Sequence, residues 1–183
     1  MQRGLEHALD EYLVLLAQAG NREAFGRLAA RWTPRLLVFA ARSTGNVETA
    51  KDAVQETWES AVRAVGRLED PARFPAWIYS IAARKCTDAL RAKYRRQRVA
   101  AAVGHRATLN EPSAVDADAG LDLASALKRL PSEQRVAVAL LYGEDMSIAQ
   151  IAVVTGVPPG TVKSRLSAAR HALRAYMEGE NDE

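Results

Sequence analysis

Five residues near the C-terminus fall on one face of a single helix: Lys163, Ser164, Ser167, Ala168 and His171, at offsets 0, 1, 4, 5 and 8. Arg165, Arg170 and Arg174 flank that face, and no acid lies between Thr161 and Ala175. This is not catalytic chemistry. It is a set of hydrogen-bond donors and positive charges spaced for a nucleic-acid surface. Lys163, Ser164 and Ser167 can reach base edges or phosphates, whereas Ala168 can only touch a methyl group or leave space. The three arginines are placed for the phosphate backbone.

The elements that must position this face are legible around it. Ser147 can N-cap a first helix, with Gln150 three residues on completing a capping box. Gly156 stands where a helix end needs a residue tolerant of positive φ. Pro158 and Pro159 stop the first helix, and Pro159 fits an early position of the next. Val162, Leu166, Ala169 and Leu173 recur at helical spacing and should face a core. Two short helices across a tight turn, the second purely basic, form a helix-turn-helix suited to a DNA major groove.

Two further polar faces lie upstream. Ala50, Ala53, Val54, Thr57, Trp58, Ala61, Val62 and Val65 trace an apolar helical stripe. Its reverse side carries Asp52, Gln55, Glu56, Glu59 and Arg63, a mainly acidic face that is either solvated or a docking face for a basic partner. A later helix starts near Phe74 and buries Phe74, Trp77, Ile78, Ile81, Ala82, Ala89 and Leu90, with Cys86 as a small core residue. From Arg84 to Arg98 it holds seven basic residues and one acid, Asp88, with Tyr94 among them. That is an electrostatic track for nucleic acid or a solvated face.

The remaining N-terminal pattern is helical as well. One helix is expected from about His7 to Ala19. A second runs from Glu23 to about Ser43, with Phe25, Leu28, Ala29, Trp32, Leu36 and Phe39 inward and Pro34 as a kink or break. No alternating strand pattern occurs. The expected fold is therefore all-α: an N-terminal helical domain (1–98), a flexible linker (99–120), a helix-turn-helix domain (121–178) and a short acidic tail (179–183). Among the 183 residues, 1–98 hold 17 Lys+Arg against 11 Asp+Glu, while 121–183 hold 7 against 8. Two separated basic sites imply two separated contacts with a polyanion. A linker of about 20 residues spans roughly 25 Å, so the domains could sit at different places on one duplex.

No apolar run is long enough for a membrane span, and residues 1–20 carry Glu6, Asp10 and Glu11 in place of a secretion signal. The single cysteine excludes an internal disulfide. A cytoplasmic protein without membrane insertion is expected. The three histidines, His7, His105 and His171, lie in unrelated segments, and no phosphate-binding glycine loop is present. No catalytic residue, metal or cofactor is expected, and the chain does not read as an enzyme.

Two segments resemble one family, the bacterial extracytoplasmic-function (ECF) sigma factors, compact specificity subunits of RNA polymerase. AKDAVQETW (50–58) and FPAWIYSIAARKCTDALRAKYRR (74–96) are similar to its regions 2.2 to 2.4. LKRLPSEQRVAVALLYGEDMSIAQIA and VPPGTVKSRLSAARHALR, both within 126–176, are similar to its region 4. The resemblance implies two helical domains and a protein that binds core polymerase, reads promoter −35 and −10 elements and melts DNA. It places Asp52, Gln55, Glu56 and Glu59 against the β′ clamp helices. It places the loop 66–73, then Arg73, Trp77, Ser80, Arg84, Lys85, Asp88 and Arg91, at the −10 element. It places Thr161, Lys163, Ser164, Arg165, Ser167, Arg170, His171 and Arg174 at the −35 element. Its implied partners are core polymerase, through β′ and the β subunit, promoter DNA and an anti-sigma protein. Lys51, Arg84 and Ala168 depart from the family pattern, where an acid, an asparagine and an arginine are usual. The competing readings are a helix-turn-helix regulator acting without polymerase and a mimic that sequesters an anti-sigma protein. The acidic face argues against the first and the retained basic helix against the second.

Overall fold

A computed structural model gives the architecture and describes residues 2–102 and 120–179. Among the described residues the regular structure is entirely helical. Helix α1 spans Gln2–Gln18, α2 Arg22–Thr44, α3 Val47–Ala64 and α4 Phe74–Ala102. Two 3₁₀ turns, Val65–Arg67 and Pro71–Arg73, join α3 to α4. The C-terminal unit comprises α5 Gly120–Arg129, α6 Ser132–Val138, a π-helical turn Ala139–Gly143, α7 Ile148–Thr155 and α8 Pro159–Gly179.

The helix ends follow from local chemistry. Asn21 caps α2 by accepting from the Ala24 amide, and Asn46 caps α3 by accepting from the Thr49 amide. Each side-chain oxygen satisfies an amide that the first turn leaves without a partner. Gly45 ends α2 in the left-handed region at φ 69°. Pro34 lies inside α2. The preceding Thr33 donates to the Ala29 carbonyl and accepts from the Trp58 indole at 3.0 Å, tying α2 to α3 there.

The N-terminal core is the meeting of three apolar stripes. Leu28, Trp32, Leu36 and Phe39 of α2 face Ala53, Val54, Thr57 and Ala61 of α3 and Phe74, Ile78, Tyr79, Ala82 and Cys86 of α4, all buried. Trp32 meets Phe74 edge-on at 5.5 Å, and Phe39 meets Tyr79 likewise at 5.3 Å, the geometry ring quadrupoles favour. Of the expected α3 stripe, Val62 is 55 % exposed. The helix ends at Ala64, and Val65, displaced into the 3₁₀ turn, takes the last core position instead. Burial pushes the Cys86 thiol up to about 12, so it packs as a small apolar group at neutral pH.

The two units are not separate bodies here. Val136, Ala137, Leu140, Ile151, Ala152 and Val154 belong to the same buried cluster as the α2 and α4 core. Four polar links cross the junction. Arg135 donates to the Thr44 carbonyl at 3.0 Å and to the Tyr94 hydroxyl at 3.4 Å, Arg91 pairs with Glu133 at 2.7 Å, and the Tyr79 hydroxyl donates to Glu144. Of the segment expected as a linker, residues 99–102 continue α4 and Gly120 opens α5, while 103–119 lie outside the described residues, as does the tail beyond 179.

Candidate nucleic-acid interface

The C-terminal reading face forms as its spacing predicts. Ser147 accepts from the Gln150 amide while the Gln150 side chain accepts from the Ser147 amide, a complete capping box. Gly156 closes α7 at φ 67° and Pro159 opens α8. Val162, Leu166 and Ala169 are buried and Leu173 half-buried. That packing turns Lys163, Ser164, Ser167, Ala168 and His171 outward, where they line one shallow surface. The Ser164 hydroxyl donates back to the Gly160 carbonyl at 3.0 Å, which leaves its oxygen free to accept. Arg170 and Arg174 are exposed at the flanks, and Thr161 is half-buried at the helix start. Arg165 does not stand with them. It is half-buried and lines the cleft between α8 and α4.

The acidic face of α3 also forms. Asp52, Gln55, Glu56 and Glu59 are all exposed on the side away from the core. Gln55 donates to Glu59 at 3.2 Å, along the helix. Glu56 pairs with Lys85 of α4 at 3.1 Å, which joins this face to the basic helix. Lys51 is drawn aside by Glu48 at 2.7 Å, so its charge is partly neutralised on its own helix.

The loop before α4 is held from beneath. The Gln18 amide donates to the carbonyls of Val65 at 3.0 Å and Leu68 at 2.6 Å. Asp70 accepts from the Ala72 amide at 3.0 Å and pairs with Arg73 at 3.3 Å. Gln18 was not among the residues expected to matter. Its long-range role has no local signal in the sequence, because its partners are backbone carbonyls some fifty positions away. Beyond the loop, Trp77 is half-buried against Phe74 at 5.8 Å. Ser80, Arg84, Asp88 and Arg91 follow at helical spacing on one side of α4, and Lys85 sits beside them, turned to Glu56.

Ser80 is half-buried, and Arg84, Asp88 and Arg91 are exposed at the mouth of a cleft. They form one wall of that cleft, of about 400 Å³, whose other wall is Glu133, Val136, Val153, Val154, Gly156, Val157 and Arg165. The junction carries unequal electrostatics. Burial raises the Glu133 carboxyl, but hydrogen bonds from Arg91, its own backbone amide and Ser132 overcome this and hold it below its ordinary value. Glu144 goes the other way: burial raises it further than Tyr79, Arg42 and Arg35 lower it. Tyr79 remains a protonated donor, because burial and the Glu144 carboxylate both push its hydroxyl far up. Among the described residues no cluster of His, Cys, Asp and Glu has metal-binding geometry, and no described helix is long and apolar enough to cross a membrane.

The arrangement thus offers an exposed acidic face on α3, an exposed basic reading face on α8 and a half-covered polar face on α4. Residues 28–96 match the family model "Sigma-70 region 2", and residues 120–173 match "Sigma-70, region 4". The chain is 35 % identical over 162 residues to the RNA polymerase sigma factor CarQ of Myxococcus xanthus, covering 86 % of this chain and 91 % of that one. It is 32 % identical over 179 residues to the ECF RNA polymerase sigma factor SigM of Mycobacterium tuberculosis, covering 95 % and 87 %. Among solved structures it is similar to CnrH in complex with the cytosolic domain of CnrY, with a TM-score of 0.66 at 30 % identity over 93 % of this chain and 98 % of that one. It is also similar to the sigma factor RpoE of Bartonella quintana bound to the anti-sigma factor NepR, with a TM-score of 0.65 at 25 % identity over 84 % and 96 %. Two family models laid over the two helical units, with relatives matched along most of their length, make this chain a member of the ECF RNA polymerase sigma factor family.

Proposed function

We propose that this sigma factor divides its work among three faces, each made by a different helix. Asp52, Gln55, Glu56 and Glu59 on α3 dock on the β′ clamp helices of core polymerase. The Gln18-anchored loop 65–73, with Arg73 at its end, and the α4 residues Trp77, Ser80, Arg84, Lys85, Asp88 and Arg91 open the −10 element and hold the non-template strand. Lys163, Ser164, Ser167 and His171 on α8 read the −35 element, with Arg170 and Arg174 on its phosphates. Thr161 and Arg165 join that contact once the cleft around Arg165 opens. The protein works in the cytoplasm, as a specificity subunit without a reaction of its own.

The observation that carries this reading is the separation of signs. The chain carries both an exposed acidic surface on α3 and an exposed, acid-free surface on α8. A helix-turn-helix regulator acting alone has no use for the first, and an anti-sigma decoy has no use for the second. An anti-sigma protein as a partner follows from the same faces, since covering them silences the factor.

The cleft on α4 adds a conformational step. About 400 Å³ is the size of a small-ligand pocket, not of a track for several unstacked nucleotides. The −10 face becomes usable when the C-terminal unit moves off α4. Gel filtration with core polymerase tests the assignment. The wild-type chain co-elutes and Glu56→Lys does not, while the far-ultraviolet circular dichroism of the variant stays unchanged. The Glu56–Lys85 pair is exposed and worth at most about 1 kcal/mol, so its loss leaves the fold intact. Retained co-elution of Glu56→Lys sinks the docking assignment.

A further inference from the structure

Helix α1 precedes the residues 28–96 that match region 2, and it supplies no residue to the α3, α4 or α8 faces. It nevertheless packs against both 3₁₀ turns of the loop before α4. Its last residue, Gln18, is half-buried. The Gln18 side-chain nitrogen donates to the Val65 carbonyl at 3.0 Å and to the Leu68 carbonyl at 2.6 Å, 47 and 50 positions away. A primary amide carries two N–H donors, so each carbonyl takes one. Val65 and Leu68 are buried, whereas Gly66, Arg67, Glu69 and Asp70 are exposed. Two fixed points three residues apart therefore clamp the backbone that presents the exposed edge of the loop.

The clamp is firm at its own end. Leu13 and Val14 seat α1 in the core. Past Gln18 the chain turns at Gly20, φ 89°, and the Gly20 and Asn21 amides return to the Ala17 and Leu16 carbonyls at 3.0 Å each. Asn21 then caps α2. The far half of the loop has local support instead: Asp70 accepts from the Ala72 amide and pairs with Arg73, both exposed. Among the described residues, Gln18 supplies the side-chain hydrogen bonds that reach this loop from outside it. A loop left to fluctuate must be ordered when its ligand binds, at a cost for every residue fixed. Gln18 has that ordering done during folding. Being neutral, it does so without placing another charge beside the phosphates.

We propose that Gln18 is a positioning residue for promoter selectivity. It touches no DNA, and it sets the −10 preference by holding the loop 65–73 in its reading conformation. The proposal rests on the assignment of that loop to the −10 element and adds to it a residue from outside the region 2 match. Two neutral hydrogen bonds bias the loop toward one conformation by roughly tenfold or more. A plain structural tie between α1 and the loop is the competing role, and it would affect the whole chain and both promoter elements alike.

The test compares discrimination at the two promoter elements in Gln18→Met, which loses both donors and keeps the helix propensity of glutamine. Holoenzyme is assembled from the full chain and core polymerase, on a duplex that the wild-type holoenzyme selects from a random library. The fluorescence of 2-aminopurine in the −10 segment reports opening across single-base changes there. Duplex affinity reports single-base changes in the −35 segment. Discrimination at −10 should fall about tenfold in Gln18→Met, with −35 discrimination and affinity for core polymerase unchanged. Gln18→Lys should restore it, because an ammonium can donate to both carbonyls, and a ratio between duplexes cancels any uniform effect of the added charge. Full −10 discrimination in Gln18→Met overturns the proposal. So does an equal fall at both elements, a loss of polymerase affinity, or a Gln18→Lys no better than Gln18→Met. Should Gln18→Met fail to fold, the same comparison on Gln18→Asn, whose amide sits one methylene further back, decides the matter. A wild-type holoenzyme with no −10 preference instead defeats the loop assignment, and this proposal with it.

Discussion

Arg135→Ala should cost this protein about 3 kcal/mol of stability. Arg135 is 3 % exposed. Its guanidinium closes two helix ends at once. One nitrogen donates to the Thr44 carbonyl at the end of α2, at 3.0 Å. The other donates to the carbonyls of Lys128 at 2.7 Å and Leu130 at 2.9 Å, where α5 ends. These carbonyls sit at C-terminal helix ends, where a cation is favoured by the helix dipole. A hydrogen bond to a charged group is worth about 1.5–3 kcal/mol net, so three at the low end come to about 4.5. The third nitrogen of the side chain, Nε, is buried without a partner. Removing a guanidinium so placed recovers about 1–2 kcal/mol of its desolvation cost. The difference, about 3 kcal/mol, corresponds to a fall in Tm of about 6–12 °C for a chain of this length. Thermal unfolding followed by circular dichroism measures it. Because the Thr44 bond crosses between the units, the melting of α1–α4 should fall along with that of α5–α8. A Tm within about 2 °C of wild type refutes the reasoning. A fall confined to the C-terminal unit refutes the part that rests on Thr44.

Gly45→Ala and Gly20→Ala form a matched pair, since both glycines have positive φ. A β-carbon at Gly20 meets nothing within 4 Å, whereas one at Gly45 meets Lys128 Cγ at 2.8 Å and Arg135 Nη1 at 3.1 Å. Both variants should lose about 1–2 kcal/mol to the backbone, and only Gly45→Ala should also enlarge the radius of gyration measured by small-angle X-ray scattering. Acid should act on the junction in two opposite senses. Glu144 is raised above its ordinary 4.5, so the folded form binds its proton more tightly and stability falls as pH rises through the raised value; Glu144→Gln should abolish that slope in denaturant titrations. Glu133 is lowered, so the stability from its Arg91 pair is present above about pH 4.5 and lost below it; Glu133→Gln should flatten that acid limb. Lys163→Ala should weaken binding to a selected −35 duplex by about 1–3 kcal/mol, and an equal loss on every sequence would mark Lys163 as a phosphate contact instead.

What the sequence disclosed and what it hid divide along a physical line. The α8 face was legible because it needs only local information: a cap, a turn glycine, a proline and a helical period. The α3 face was legible for the same reason. Boundaries moved by a few residues, and Val62, inside α3 but at the outer edge of the apolar stripe, is exposed. The resting place of the C-terminal unit was not legible. It depends on pairings such as Thr44 with Arg135 and Tyr79 with Glu144, whose partners are 91 and 65 positions apart. A lone arginine inside LPSEQRVAV reads as a surface charge, and only the fold shows two helix ends converging on it. Arg165 stands apart for a related reason: helical spacing puts it at the edge of the expected DNA face, and that edge is where α4 approaches.

The packed arrangement gives the three proposed faces different surroundings. The proposed docking residues on α3 and reading residues on α8 are open to solvent, whereas on α4 Ser80 is half-buried and the exposed Arg84, Asp88 and Arg91 stand along the wall of the inter-unit cleft. The polar locks that keep the cleft shut are few. Arg91–Glu133 has one partner 64 % exposed and contributes at most about 1 kcal/mol. The Tyr79–Glu144 bond leaves a half-buried carboxylate whose raised pKa shows that the site tolerates its charge poorly. Arg135 is the strong lock, but two of its three short bonds lie within the C-terminal unit and survive separation. What opening breaks is then two hydrogen bonds of Arg135, to Thr44 and Tyr94, one exposed ion pair, the Tyr79–Glu144 bond and the apolar seam of Val136, Leu140, Ile151 and Val154. Arg91 belongs to both sides of this proposal: it pairs with Glu133 across the cleft and lies on the α4 face proposed for the −10 element.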